Sequence, residues 1–195
     1  MGANLRKVIK GICWAAALVF TLPWAVFAVF GRFKAGFAFC AQALSLAPGL
    51  PGSYVRVAYY AMTLRSCSLE SHIGIGSFFA HSQASVGRRV YIGSLCVLGQ
   101  TSIGDRTQIA SGVQILSGRR QHGRSHDGRM EGAEQGVFEV VPVGSDCWIG
   151  AGAIVMAEIG EGTTIGAGSV VTRPIPPHSV AVGNPARVIK SSNET

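Results

Sequence analysis

Residues 86–115 read VGRRVYIGSLCVLGQTSIGDRTQIASGVQI. An aliphatic residue followed by a small one recurs every six positions, at Val86-Gly87, Ile92-Gly93 and Leu98-Gly99. The series slips by one place and continues as Ile103-Gly104, Ile109-Ala110 and Ile115. Upstream, Leu69-Glu70 and Ile75-Gly76 read in the same rhythm, with Ala80 as a weaker member. Downstream it resumes as Val143-Gly144, Ile149-Gly150, Val155, Ile159-Gly160, Ile165-Gly166 and Val171. A six-residue period is too short for a solenoid of helices and too regular for a sandwich. It predicts a three-sided coil with one short strand per side. The aliphatic residue points inward and stacks on its counterpart about eighteen residues on, and the small residue turns the corner. About five coils result, with open ends that a preceding helix and the C-terminal tail would cap.

Composition sets the frame. The chain has 195 residues, 14% charged and 48% hydrophobic, with 26 glycines. That excludes dominant disorder and suits a turn-rich β architecture. Five cysteines without a CxxC pair argue against a disulfide scaffold or a four-cysteine zinc site, and favour a reducing compartment. Residues 1–68 hold seven basic residues and no Asp or Glu, whereas residues 69–195 hold ten of each sign, so the net charge of +7 belongs to the N-terminal third. That third is also the most apolar part, a combination attracted to anionic lipid. No basic stripe interleaved with aromatics follows it, which speaks against a nucleic-acid partner.

Gly11 to Gly31 (GICWAAALVFTLPWAVFAVFG) carries no charge and is a transmembrane candidate by length. Pro23 predicts a kink or break, which leaves each half ~18 Å long and too short to cross ~30 Å of hydrocarbon. A re-entrant or interfacial anchor, a single span and a cleaved signal peptide are the three readings. Ser53–Ser66 reads as a short amphipathic helix with Val55, Tyr59 and Met62 on one face. The expected division is a hydrophobic, basic, membrane-associating helical region over 1–66, a coil domain over 67–190 with a loop at 117–142, and a tail over 191–195.

The ordered set VGSDCWIGAGA (143–153), IGAGSVVTRPIPP (165–177) and AVGNPARVI (181–189) carries a resemblance. It is similar to the hexapeptide-repeat acyltransferases, and within them to the acetyl-CoA-dependent O-acetyltransferases of sugars. The resemblance covers about residues 69–190. It implies an all-β fold, a left-handed parallel β-helix, here preceded by the hydrophobic helical region. That extension resembles the membrane-associated members that act in exopolysaccharide, capsule or lipopolysaccharide assembly. It also implies a homotrimer, acetyl-CoA as co-substrate with no metal, and a saccharide or lipid-linked saccharide acceptor. Because acetyl-CoA is cytoplasmic, the β-helix is expected at the cytoplasmic face of a bacterial inner membrane.

Moving acetyl from a thioester to a hydroxyl needs a base, and imidazole suits that task near neutral pH. The polar loop SGRRQHGRSHDGRMEGAEQGVFEVVP (117–142) interrupts the rhythm and holds two of the five histidines. In the resembling family the catalytic histidine lies in this loop, soon after a Ser-Gly or Thr-Gly. His122 follows Ser117-Gly118 and is the expected base, with His126 as the alternative. Arg119, Arg120 and Arg124 either bind an anionic acceptor or form a solvated loop face. By motif position, Ala151 and Ala167 would offer backbone groups to the pantetheine arm, with Gly150 and Gly166 keeping that face low. Thr172 and Arg173 would sit at the pyrophosphate, and Arg187 near the 3′-phosphate or adenine. Trp148 either lines the channel or is a plain corner residue. The early-coil asparagine of the sugar enzymes is missing, so acceptor recognition is expected to differ. His72 and His81 with His122 could instead suggest a three-histidine zinc site, as in γ-carbonic anhydrases. A non-catalytic scaffold of a polysaccharide-synthesis complex is the other rival.

Overall fold

The computed structural model describes residues 3–118, 127, 129–130, 132 and 137–191. Among the described residues, fifteen short strands build a parallel β-solenoid of about five coils, and the inward residue of each strand pair decides the stacking. One side stacks β1 (Ser66–Cys67), β4 (Ser85–Val86), β7 (Thr101–Ile103) and β10 (Val141–Val143). The second stacks β2 (His72–Ile73), β5 (Tyr91–Ile92), β8 (Gln108–Ile109), β11 (Trp148–Ile149), β13 (Thr164–Ile165) and β15 (Ser179–Gly183). The third stacks β3 (Phe78–Phe79), β6 (Val97–Leu98), β9 (Gln114–Ile115), β12 (Ile154–Val155) and β14 (Val170–Val171). Ile73, Ile92, Ile109, Ile149, Ile165 and Ala181 form one continuous buried column along the second side. Each fully buried isoleucine contributes roughly 1.5–3 kcal/mol relative to exposure.

The steps along that column differ from a uniform eighteen. They are 19, 17, 40 and 16 residues from Ile73 to Ile165, because corners differ in length and one coil carries the loop. The upstream frame also differs from the expected one. Cys67, Ile73 and Phe79 are the inward residues of the first coil, in register with Val86, Ile92 and Leu98. Ile75 instead sits at a corner, 40% exposed, and Leu69 is only half-buried. The physical reason is the neighbouring helical layer, where Tyr60 packs edge-on against Phe79 at 5.0 Å and favours a large inward residue there.

Three helices precede the solenoid: α1 (Ala3–Phe27), α2 (Lys34–Ser45) and α3 (Gly49–Thr63). The expected break at Pro23 does not occur, and α1 runs through it for 25 residues. Thr21 Oγ1 donates to Ala17 O at 2.8 Å in the turn before the proline, and a stripe of small residues lets α1 lie close against its neighbours. Ala17, Ala25 and Ala28 are buried on that stripe, and Trp14 meets Tyr54 edge-on at 4.5 Å. The segment Lys7–Phe27 is long and apolar enough to cross a membrane by length and composition. Val29, Phe30 and Gly31 then take positive φ and reverse the chain. Only glycine serves at position 31, because a Cβ there would collide with Thr63 O.

The helical layer seals the first coil. Arg56 on α3 is 1% exposed and donates to Ile73 O (3.0 Å), Ala47 O (2.6 Å) and Ser45 O (3.2 Å). Ser53 Oγ accepts from Ile73 N at 3.2 Å, and Tyr60 Oη accepts from Phe79 N at 3.0 Å. At the far end, β16 (Ala186–Ser191) folds back antiparallel on β15.

Candidate functional site

The motif residues of the last two coils come together. Ile149 is in register with Ile165, so Gly150-Ala151 stacks under Gly166-Ala167 at one corner. Gly150 N–H donates to Ile165 O at 2.8 Å, and Gly168 N–H donates to Ala151 O at 2.8 Å. Ala151 and Ala167 are both exposed. Among the described residues, neither backbone N–H finds a backbone acceptor. A ligand carrying amide carbonyls can pair with such donors. Trp148 lies beside them, 59% exposed, between Gln108 and Thr164 in register. An exposed tryptophan ring next to open backbone donors is a wall for an apolar or amide-bearing chain.

The glycines have a structural cause of their own. A Cβ on Gly150 would lie 2.5 Å from Ala167 N, and one on Gly166 would lie 2.7 Å from Val182 Cγ1. Coil stacking therefore accounts for both. Thr172 and Arg173 fall at the next corner, past β14, where Arg173 is exposed. Arg187 is exposed on the terminal hairpin, opposite Val182 in register. The expected cofactor residues thus span two corners and the hairpin.

The loop is rooted between the third and first sides, leaving after β9 and returning into β10. Ser117 Oγ accepts from Gln100 N at 2.8 Å, and Ser117 O accepts from Glu139 N at 3.0 Å. Val141 N donates to Gln100 O at 2.9 Å, so the departing and returning arms are joined at the base. His122, His126, Arg119, Arg120 and Arg124 lie outside the described residues. His72 is occupied locally: its Nδ1 is 3.0 Å from Ser53 Oγ and its ring stacks on Tyr91 at 4.9 Å. Burial, then the Arg56 charge, lowers its pKa. Among the described residues, no three His, Cys, Asp or Glu side chains gather as a metal site would need.

One corner carries a charge ladder that sequence reading missed. Glu70 pairs with Arg89 (3.4 Å), Asp105 with Arg88 (3.1 Å), and Arg106 Nε donates to Asp146 Oδ1 (2.7 Å). The signal was present as basic residues followed one coil later by Asp. The Arg88 backbone N–H, then its guanidinium, holds the Asp105 carboxyl below the usual range. The Arg106 guanidinium does the same for Asp146.

Comparison with known proteins follows this geometry. A family profile described as the hexapeptide repeat of succinyl-transferase matches residues 140–173. A Staphylococcus aureus protein named as an acetyltransferase is 48% identical over 52 residues, 26% of each chain. The chain therefore spans about a quarter of the length of the curated relatives it matches. A maltose O-acetyltransferase from Clostridium difficile aligns with a TM-score of 0.68 and 26% identity, over 82% of this chain and 88% of its own. A galactoside acetyltransferase solved with coenzyme A has a TM-score of 0.63 and 22% identity over 82% of each chain, a likeness of fold. The chain thus carries a hexapeptide repeat over residues 140–173 and is similar, in that repeat and in its solenoid, to proteins named as acetyltransferases.

Proposed function

We propose that this protein moves acetyl from acetyl-CoA to a hydroxyl of a saccharide. The observation that carries the reading is the exposed corner where Ala151 and Ala167, whose backbone N–H groups have no backbone acceptor among the described residues, stack beside Trp148. The pantetheine arm pairs with these donors and lies against the indole. Thr172 and Arg173 hold the pyrophosphate, and Arg187 holds the 3′-phosphate or adenine, as the forked guanidinium suits phosphate oxygens. His122 takes the proton of the acceptor hydroxyl, with His126 as the alternative. The hydroxyl oxygen attacks the thioester carbonyl. The tetrahedral intermediate collapses, the C–S bond breaks, and the CoA sulfur leaves with the proton returned by imidazole. Base catalysis of this kind is worth ~10²–10⁴-fold, and juxtaposition of the two substrates supplies more. Arg119, Arg120 and Arg124 meet an anionic acceptor.

The membrane setting belongs to the same proposal. The outer face of α1 leaves Ile12, Val19 and Phe20 more than half exposed, on the part of the chain that carries all the excess positive charge. Because α1 is packed along α3, an anchor lying in the bilayer surface suits it better than a free span. This reading places a homotrimer at the cytoplasmic face of a bacterial inner membrane, acting in exopolysaccharide, capsule or lipopolysaccharide assembly. Calorimetric titration of acetyl-CoA into the detergent-solubilised chain tests the enzyme reading. Saturable binding is expected, weakened by Arg173→Ala with Arg187→Ala and unchanged by His122→Ala. No binding by the folded protein would leave a scaffold role.

A further inference from the structure

A cavity of about 280 Å³ lies beside the roots of the loop and is not used by the cofactor corner. It is lined by Lys34, Phe37, His81, Ser82, Gln100 and Phe138 among others. These residues come from the start of α2, two coil corners and the returning arm of the loop. Gln100 is 9% exposed, yet its carboxamide makes no hydrogen bond to any described residue. The residue lines the cavity, where its carboxamide is available to a ligand or water. The His81 ring lies 5.0 Å from the Phe138 ring. Burial, then the Lys34 charge, lowers the His81 pKa, so its imidazole is neutral at neutral pH. Among the described residues, no acidic side chain lines the cavity and Lys34 has no carboxylate partner.

The rim has a second character. Ser82 Oγ donates to Gly31 O at 2.8 Å, which ties the cavity to the reversal after α1. Val29, Phe30 and Phe33 at that reversal are each about half exposed. A cationic, hydrogen-bonding cavity therefore opens beside bare apolar surface. The matching ligand has an anionic group for Lys34, hydroxyls for Gln100 and His81, and an apolar chain for the aromatic rim.

We propose that this cavity is the acceptor site and that it takes a saccharide joined through a diphosphate to a lipid chain. The assignment rests on the acetyltransferase reading and deepens it. Lys34 holds the diphosphate, Gln100 orients the sugar toward the loop, and Phe30 and Phe33 guide the lipid. Farnesyl diphosphate serves as the probe, titrated into the detergent-solubilised full chain already saturated with CoA, so that the cofactor's phosphate site is filled. Saturable binding is expected, at least tenfold weaker in Lys34→Gln. The double variant Phe30→Ser, Phe33→Ser should weaken farnesyl diphosphate but leave inorganic diphosphate unchanged. Equal competition by phosphatidylglycerol would mean a general lipid headgroup site and would overturn the assignment. So would absent binding, or binding undiminished in a folded Lys34→Gln protein. Acetyl-CoA titration of the same preparation before CoA is added separates the two failures, since loss of cofactor binding sinks the enzyme and loss of probe binding alone sinks the acceptor site.

Discussion

Arg106 and Asp146 are forty residues apart in the chain, and Arg106 Nε donates to Asp146 Oδ1 at 2.7 Å across neighbouring coils. The inner column passes the same gap without a break, since Ile109 meets Ile149 and Ile115 meets Val155 in register. The solenoid therefore continues beneath the loop as if the loop were absent.

Replacing residues 119–137 with a short Gly-Ser linker should leave the melting temperature within a few degrees. Acetyl-CoA affinity should persist while acetyl transfer falls to background. Circular dichroism melting with calorimetry checks both, and a collapse of the melting transition would mean that the loop supports the coils.

Two glycine substitutions should act in opposite directions. Gly150→Ala puts a Cβ 2.5 Å from the Ala167 backbone nitrogen, where no side chain can swing aside. Overpacking of this kind costs about 1–3 kcal/mol. Gly11→Ala, in α1 with nothing within 4 Å, should gain roughly 0.5–1 kcal/mol from helix propensity. Denaturant unfolding of the two variants reads the contrast.

Arg56 joins α2, α3 and the first coil through one guanidinium. Arg56→Met would leave several buried carbonyls unpaired, and each hydrogen bond from a charged donor is worth about 1.5–3 kcal/mol. The helical layer should loosen first, so limited proteolysis should cut near residue 64 while the β signal in circular dichroism persists. Arg56→Lys should rescue only part, because an ammonium does not reproduce the planar fork.

The charge ladder predicts an acid limit. Asp105 and Asp146 have lower pKa values in the folded protein than in the unfolded chain, held down by hydrogen bonds from Arg88 and Arg106. The unfolded state then binds more protons in that window, so the stabilisation is present above the unfolded value of about 3.9 and is lost as pH falls through the folded values. The melting temperature should drop below roughly pH 4, and Asp105→Asn with Asp146→Asn should flatten that drop. Melting curves at low and high salt check the electrostatic origin, since these exposed pairs are screened. An unchanged acid slope in the double variant would place the limit elsewhere.

From Val86 to Ile115 the inward positions were readable because each is aliphatic and all but Ile115 are followed by a small corner residue. The first coil was not, because its inward residues include Cys67 and Phe79, while Ile75 mimics the pattern from an exposed corner. What distinguishes them is the contact with Tyr60, a tertiary fact. Pro23 misled for a related reason, since local propensity favours a break but packing against α3 keeps α1 continuous. The motif around Trp148 carried a resemblance in the sequence, whereas the spread of its residues over two corners and the hairpin comes only from the fold. Gln100 and Lys34 carried no sequence signal, as only folding brings the start of α2 to the loop's base.

Arg56, Ser53 and Tyr60 occupy the hydrogen-bonding positions that another coil would otherwise take up on the first turn. At the other end, β16 runs antiparallel on β15 and does not offer the parallel register of the stack. An unblocked coil end is a template for copies of itself, as exposed strand edges are in general. The two ends of the second side thus carry different devices, side chains at one and an antiparallel strand at the other, so that side does not present the same parallel template at both ends.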